Sequence, residues 1–283
     1  MTDFFYGPGP DNETAFTAGD RLIGGDGADT LTATAGGNAL YGDAGDDVLN
    51  GAPGNDILTG GGSPEVKEHN VMHGYGGDDT IFSASSGDQI YGGAGDDTIV
   101  HSYSNVSSFQ GGVLKGGAGT DEISFYGLPA SGTGVMQLDG GLGTDDTLIW
   151  ANGLGSFTGP LIIDVAAGLM KTFGTVFATF SGFEAIKIQT YSGAQGDITF
   201  TGGDEVDTLD LSATTSTLST LGGTGNVQVR SGQTTLHGGL GDDVIRSIST
   251  MRRRITCLAT VATTGWSAAA GNPPCPAAKA RMC

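Results

Sequence analysis

A nine-residue period governs what this chain can become. Gly24-Gly25-Asp26-Gly27-Ala28-Asp29-Thr30-Leu31-Thr32 recurs as Gly42-Asp43-Ala44-Gly45-Asp46-Asp47-Val48-Leu49-Asn50, then as Gly51-Ala52-Pro53-Gly54-Asn55-Asp56-Ile57-Leu58-Thr59. Further copies begin at Gly74, Gly92, Gly116, Gly140, Gly202 and Gly238. The consensus is G-G-x-G-x-D-x-U-x, with U a large aliphatic residue. Degenerate copies keep the phase between them: residues 33–41 retain Gly36, Asn38 and Leu40, and residues 83–91 retain Asp88 and Ile90. Residues 60–73 end in Asn70-Val71-Met72-His73, which makes them one repeat with a five-residue insertion around residues 64–68. A short fixed period of this kind marks stacked units that cannot bury their apolar faces alone.

Each position has a physical reason. The glycines of positions one to five permit positive φ and a tight turn. The x-U-x triplet is a minimal strand whose central side chain points inward and whose neighbours point outward. Two nonapeptides then close one coil, so like turns recur every 18 residues and stack at the strand spacing of about 4.8 Å. A file of Leu31, Leu40, Leu49, Leu58, Met72, Ile81, Ile90 and Ile99 is a thin core. The expected fold is all-β, a parallel β-roll or β-solenoid with irregular larger coils in its middle.

Composition shows that this core needs help. Glycine supplies 52 of 283 residues, and 31 acidic residues face only 12 lysines and arginines. Of the acids 25 are Asp and six are Glu. A merely solvated acidic surface would use both, whereas short carboxylates in Gly-rich turns suit a hard cation. Carboxylates stacked at strand spacing repel unless a cation lies between them. The acidic excess argues against a nucleic-acid partner, and no apolar run approaches the roughly 18 residues of a membrane span. The N-terminal Met1-Thr2-Asp3-Phe4-Phe5-Tyr6 has neither a basic nor an apolar signal region, so no cleaved signal peptide is expected.

The nonapeptide resembles the RTX, or hemolysin-type, calcium-binding repeat. The resemblance implies a β-roll holding Ca²⁺ between position-six Asp carboxylates and turn carbonyls of consecutive coils on one edge. Carried onto this sequence, those residues are Asp29, Asp47, Asp56, Asp79, Asp97, Asp121, Asp145, Asp207 and Asp243, with Asn38 and Asp88 at the same position of degenerate copies. It also implies an extracellular bacterial protein exported by type I secretion machinery. A cell-surface or polysaccharide partner, or attachment to a secreted hydrolase, lyase or epimerase, is the alternative role.

Spacing ranks the sites. Asp29 and Asp47 lie one coil apart, as do Asp79 and Asp97; Asp97, Asp121 and Asp145 follow at 24, a coil plus six. Asp79, Asp97, Asp121 and Asp145 are therefore expected to form one calcium file, the extra residues near 101–110 and 125–134 enlarging the far edge. Asn38 and Asp56 are expected to pair on the opposite edge, as a weaker site. At Gly140 an extra residue after Asp145 predicts a bulge. At Gly202 the fourth position is Glu205, which either adds a carboxylate or spoils the turn.

The expected divisions are a disordered head at 1–17, a roll at 18–148, an irregular solenoid continuing the stack at 149–201, a second repeat block at 202–249 and an aberrant tail at 250–283. No acid follows Asp243, and all three cysteines (Cys257, Cys275, Cys283) sit in that tail. Read one base out of frame with G at most wobble positions, Thr250–Ser267 yields Pro-Gly-Asp-Gly-Gly-Asp-Asp, a hidden repeat. The tail is thus expected to be a frameshifted copy, which the gene sequence tests. Catalysis is not expected. H-E-x-x-H and G-x-S-x-G are absent, and the doublets Asp46-Asp47, Asp78-Asp79, Asp96-Asp97 and Asp242-Asp243 recur with the turns instead of standing as one tuned pair. His69 and His73 read as an insertion residue and an outward strand residue. Tyr41, Phe82 and Tyr91 read as outward aromatics packed beneath the inserted loops, a glycan platform being the other reading.

Overall fold

Strand spacing and turn chemistry are realised almost literally. The computed structural model describes the chain apart from residues 1, 16, 63–67, 103–108, 127–131, 153–160, 166, 191–197, 202–205, 212–223, 230–233, 241–243, 248–254, 262–265 and 269–283. Its chain divides into two compact units, Met1–Leu148 with Ser181–Phe183, and Ile149–Phe180 with Glu184–Cys283. Among the described residues there is no helix, and so none long and apolar enough to cross a membrane.

The first unit is a parallel β-roll. Its strands are β1 (Asp3–Phe5), β2 (Asn12–Ala15), β3 (Arg21–Asp26), β4 (Thr30–Ala33), β5 (Ala39–Ala44), β6 (Val48–Asn50) and β7 (Ile57–Thr59). They continue as β8 (Val71–Gly76), β9 (Thr80–Ser83), β10 (Gln89–Ala94), β11 (Thr98–Ser102), β12 (Phe109–Ala118), β13 (Glu122–Tyr126) and β14 (Gly132–Leu142). Odd strands β1-β3-β5-β7-β9-β11-β13 stack into one sheet and even strands β2-β4-β6-β8-β10-β12-β14 into another. Each strand pairs in parallel with the strand one coil away, as in Arg21↔Ala39 and Thr30↔Val48. The inward column of one sheet is Leu22, Leu40, Leu58, Ile81, Ile99 and Ile123; that of the other is Leu31, Leu49, Met72, Ile90, Leu114 and Leu138, all buried.

The insertions leave the register intact. Val48 pairs with Val71 and Ile57 with Thr80 across the lengthened repeat, and Thr98 pairs with Glu122 across the next one. The apolar file tolerates no slip: one residue of shift would turn every inward side chain out.

The head departs from expectation. β1 pairs with β3 and β2 with β4, so these residues form the first coil instead of a disordered leader. The reason is a hidden repeat: Gly7, Gly9 and Asp11 lie 18 residues before Gly25, Gly27 and Asp29. Position eight is Glu13, opposite Leu31, so the aliphatic signal that betrays the other copies is missing.

The second unit also departs. Residues 149–201, expected as larger coils of an irregular solenoid, carry an antiparallel meander of β16 (Leu161–Asp164), β17 (Leu169–Thr172) and β18 (Thr175–Ser181), after β15 (Thr147–Asn152). Phe173 and Gly174 have φ of 48° and 79°, and Thr172 pairs with Thr175. Two central residues at positive φ form the two-residue hairpin turn that folds a chain back on itself. Parallel pairing returns in β19 (Ala185–Thr190), which pairs with β21 (Val206–Leu211) once β20 (Ile198–Thr201) has paired with β16. Then follow β22 (Thr224–Val229), β23 (Thr234–Leu240), β24 (Val244–Ser247), β25 (Ile255–Val261) and β26 (Trp266–Ala268), with β21-β22-β24-β26 in one order and β23 beside β25.

Candidate metal centre

The consensus turn is shaped by what cannot fit in it. A methyl on Gly92, position one of its repeat, would overlap Oδ2 of Asp97, position six; Gly24 and Asp29, Gly42 and Asp47, Gly74 and Asp79, and Gly116 and Asp121 repeat the contact. Position four is glycine in every consensus turn of the roll and position two in some (Asp43 and Tyr75 hold it at φ of 70° and 74°), and in the Gly92 repeat both have two further reasons to be glycine. Gly93 and Gly95 have φ of 125° and 127°, and a methyl on either would overlap the carbonyl oxygen of Tyr75 or Gly77 in the preceding coil. The walls of the stacked turns are thus carbonyl oxygens and carboxylates brought close by missing side chains.

Position-six side chains form two ladders. In one, the backbone N–H of Asp11 donates to Asp29 Oδ1 at 2.8 Å, that of Asp29 to Asp47 Oδ1, that of Asp47 to Asn70 Oδ1, and that of Asn70 to Asp88 Oδ1. In the other, Asp20 donates to Asn38, Asn38 to Asp56, Asp56 to Asp79, Asp79 to Asp97, Asp97 to Asp121 and Asp121 to Asp146, each from backbone N–H to Oδ1 at 2.7–2.9 Å. Each carboxylate therefore clamps the coil before it through one oxygen.

Two expectations are corrected here. Asn38 and Asp56 share the ladder of Asp79, Asp97 and Asp121; the opposite edge belongs to Asp29, Asp47, Asn70 and Asp88, because residues 60–73 count as one repeat. Asp145 is exposed, and Asp146 takes the buried place above Asp121. The extra residue thus precedes the ligand position instead of following it, which also restores Leu148 to the core. Asp207 lies in β21 opposite Gly225, and Asp243 lies outside the described residues.

The second oxygen separates the sites. Oδ2 of Asp29, Asp47, Asp79, Asp97 and Asp121 is buried without a hydrogen-bond partner. By contrast Asp56 Oδ2 accepts the Ala52 N–H at 2.7 Å, and Asp88 Oδ2 accepts the Ser83 hydroxyl and the Ser85 N–H. Asp20 Oδ2 accepts both the N–H and the hydroxyl of Thr17. Buried polar atoms are almost always satisfied, so five bare carboxylate oxygens in matching turns mark places built for something absent from the polypeptide. Burial pushes the carboxyls of Asp79 and Asp97 up to about 7 and those of Asp47 and Asp121 up to about 6, neighbouring carboxylates adding to the rise.

No three His, Cys, Asp or Glu side chains converge on a metal-sized point among the described residues. An ion here takes one or two carboxylate oxygens and completes its shell from turn carbonyls. Such an all-oxygen, irregular donor set suits Ca²⁺, which accepts six to eight oxygens without strict geometry. The residues fit the ion.

Sequence reasoning missed Asp20, Asn70 and Asp146 as ladder members, although counting back 18 from Asn38 finds Asp20. It also missed an outer ladder at position five. Backbone N–H groups of Asp78, Asp96 and Thr120 donate to Asn55, Asp78 and Asp96 side chains of the coil before, opposite in direction to the inner ladder. His69 and His73 do not converge: His69 Nδ1 lies 3.8 Å from Asp46, whereas His73 stacks on Tyr91 with ring centroids 4.8 Å apart. Tyr41 carries the Arg21 guanidinium 4.8 Å over its ring, and Phe82 is exposed.

Fold and site together define a calcium-binding β-roll. The family model of the RTX calcium-binding nonapeptide repeat matches in four copies, at residues 15–49, 32–63, 68–100 and 230–247, and these segments belong to that family. No curated protein matches the chain.

Proposed function

We propose that this protein is a non-catalytic module that acts outside the cell and folds when Ca²⁺ enters its turns. The observation that carries the reading is the set of five bare, buried Oδ2 atoms on Asp29, Asp47, Asp79, Asp97 and Asp121. Left ionised and unpaired, each costs several kcal/mol of desolvation. A bound divalent ion cancels that cost, so ion binding and folding become one equilibrium. Extracellular calcium modules hold their ion at roughly 10⁻⁴–10⁻³ M, which suits a chain that stays unfolded in calcium-poor cytoplasm and folds after export. RTX repeats are typical of secreted bacterial proteins, which supports the same placement.

Far-ultraviolet circular dichroism during a calcium titration tests this. Excess EGTA leaves a largely disordered chain, and β signal grows cooperatively as millimolar Ca²⁺ is added. Full β structure in EGTA would refute the coupling.

A further inference from the structure

The lengthened repeat at residues 60–73 breaks the consensus twice. Asn70 replaces Asp at position six, and Glu68 stands at position four, where the stacked turns of the same edge have Gly45 and Ser86. The first change removes an anionic oxygen from the ladder. Asn70 still accepts the Asp47 N–H through Oδ1, but its other atom is Nδ2, packed against Gly60 and without a hydrogen-bond partner. In the consensus turns a carboxylate Oδ2 occupies this place.

The second change returns an oxygen. Glu68 is only 8% exposed; the Gly45 backbone and the Ser85 hydroxyl face its carboxyl, and its buried Oε2 has no donor at hydrogen-bond distance. It is held there by a cradle: a methyl on Gly62 would overlap Glu68 Oε2 and come within 2.5 Å of Ser85 Oγ. The residues after Glu68 stack directly on the coil of Asp47, His69 N–H donating to Asp46 Oδ1 and Asp47 N–H to Asn70 Oδ1, both at 2.9 Å, and Asp47's own Oδ2 is bare. One edge of the roll thus holds two unsatisfied carboxylate oxygens from adjacent coils beside a position that lost its own.

We propose that Glu68 and Asp47 together hold a divalent hard cation, a non-consensus site in which the position-four glutamate supplies the oxygen missing at Asn70. Two carboxylates neutralise one such ion, and turn carbonyls complete its shell. The site shares Asp47 with the consensus ladder and adds a ligand that the consensus lacks, and it rests on the calcium reading above.

The test is the number of Ca²⁺ ions bound per chain, from isothermal titration calorimetry on the full chain. Glu68→Gln keeps the side-chain shape and lowers the count by one, with the circular dichroism spectrum in saturating Ca²⁺ unchanged. Adding Asn70→Asp to that variant returns the ion. Asn70→Asp alone leaves the count as it was, because the place already has its carboxylate. An unchanged count in Glu68→Gln overturns the proposal, as does an extra ion in the Asn70→Asp single variant, which stays decisive if Glu68→Gln fails to fold. Absence of calcium binding by the unaltered protein instead overturns the general calcium reading, so the two failures are told apart.

Discussion

At the scale of single residues, one aspartate does two jobs with its two oxygens. Oδ1 ties the coil below through a backbone N–H, and Oδ2 either waits for an ion or finds a partner in its own turn. That division separates residues which the consensus treats alike. Asp97→Asn keeps the Oδ1 acceptor, so the roll still forms in saturating calcium, but calorimetry shows one ion fewer or a site weakened at least tenfold. Asp88→Asn is expected to leave the ion count unchanged, because Asp88 Oδ2 already accepts from Ser83 and Ser85. Its cost appears in thermal stability instead, at about 1–3 kcal/mol for a disturbed buried hydrogen-bond set. Gly92→Ala tests the cradle: its methyl overlaps Asp97 Oδ2 although the residue is not at positive φ, and overpacking of this kind costs about 1–3 kcal/mol. A neutral Gly92→Ala variant in chemical denaturation would show that the carboxylate has room to move.

At the scale of the element, the turn stack is an acid-sensitive device with a definite sign. Asp79 and Asp97 have folded-state carboxyls near 7, against an ordinary value of 3.8, because burial disfavours the charged form. A raised carboxyl stabilises the metal-free fold fully below the unfolded value and loses that contribution as pH climbs through about 7. In EGTA, β signal is therefore expected to grow as pH falls from 8 toward 5, and spectra that stay flat or lose β signal contradict this. With calcium the direction reverses, since the ion binds the ionised form: affinity drops over the same interval and binding releases protons. Calorimetry in two buffers of different ionisation heat measures that release. The strand pairs were readable in advance because an aliphatic residue every nine positions leaves one inward phase. The meander of β16–β18 was not, because its apolar runs fit a coil as well as a hairpin, and only the positive φ of Phe173 and Gly174 decides between them.

At the scale of the whole molecule, a formal charge of −19 sits on a fold with one aliphatic column per sheet. Two remedies are conceivable, diffuse screening or ions in fixed sites. Screening reaches within about 3 Å at 1 M salt but acts weakly on buried charges. Accordingly 1 M NaCl in EGTA does not restore the β signal, whereas millimolar Ca²⁺ does. Each site contributes about 2.7 kcal/mol when free calcium is a hundredfold above its Kd, so several sites together outweigh the small net stability of an ordinary domain. Restoration by salt alone would reduce the bare oxygens to generic repulsion.

The amino-acid order alone determined the coil period and the inward aliphatic phase and pointed to a hard-cation ligand, because each follows from spacing and residue type; it misplaced the edge of Asn38 and Asp56. It could not say which oxygens remain bare. Asp56 and Asp97 occupy equivalent positions, yet the first is satisfied by Ala52 and the second is not. Nor could it choose between Asp145 and Asp146, where a one-residue insertion is accommodated on whichever side lets Leu148 stay buried. The first outcome depends on how the turn from Ala52 to Asp56 aims its own N–H groups, the second on which carboxylate reaches the Asp121 N–H of the coil before, and residue type alone shows neither.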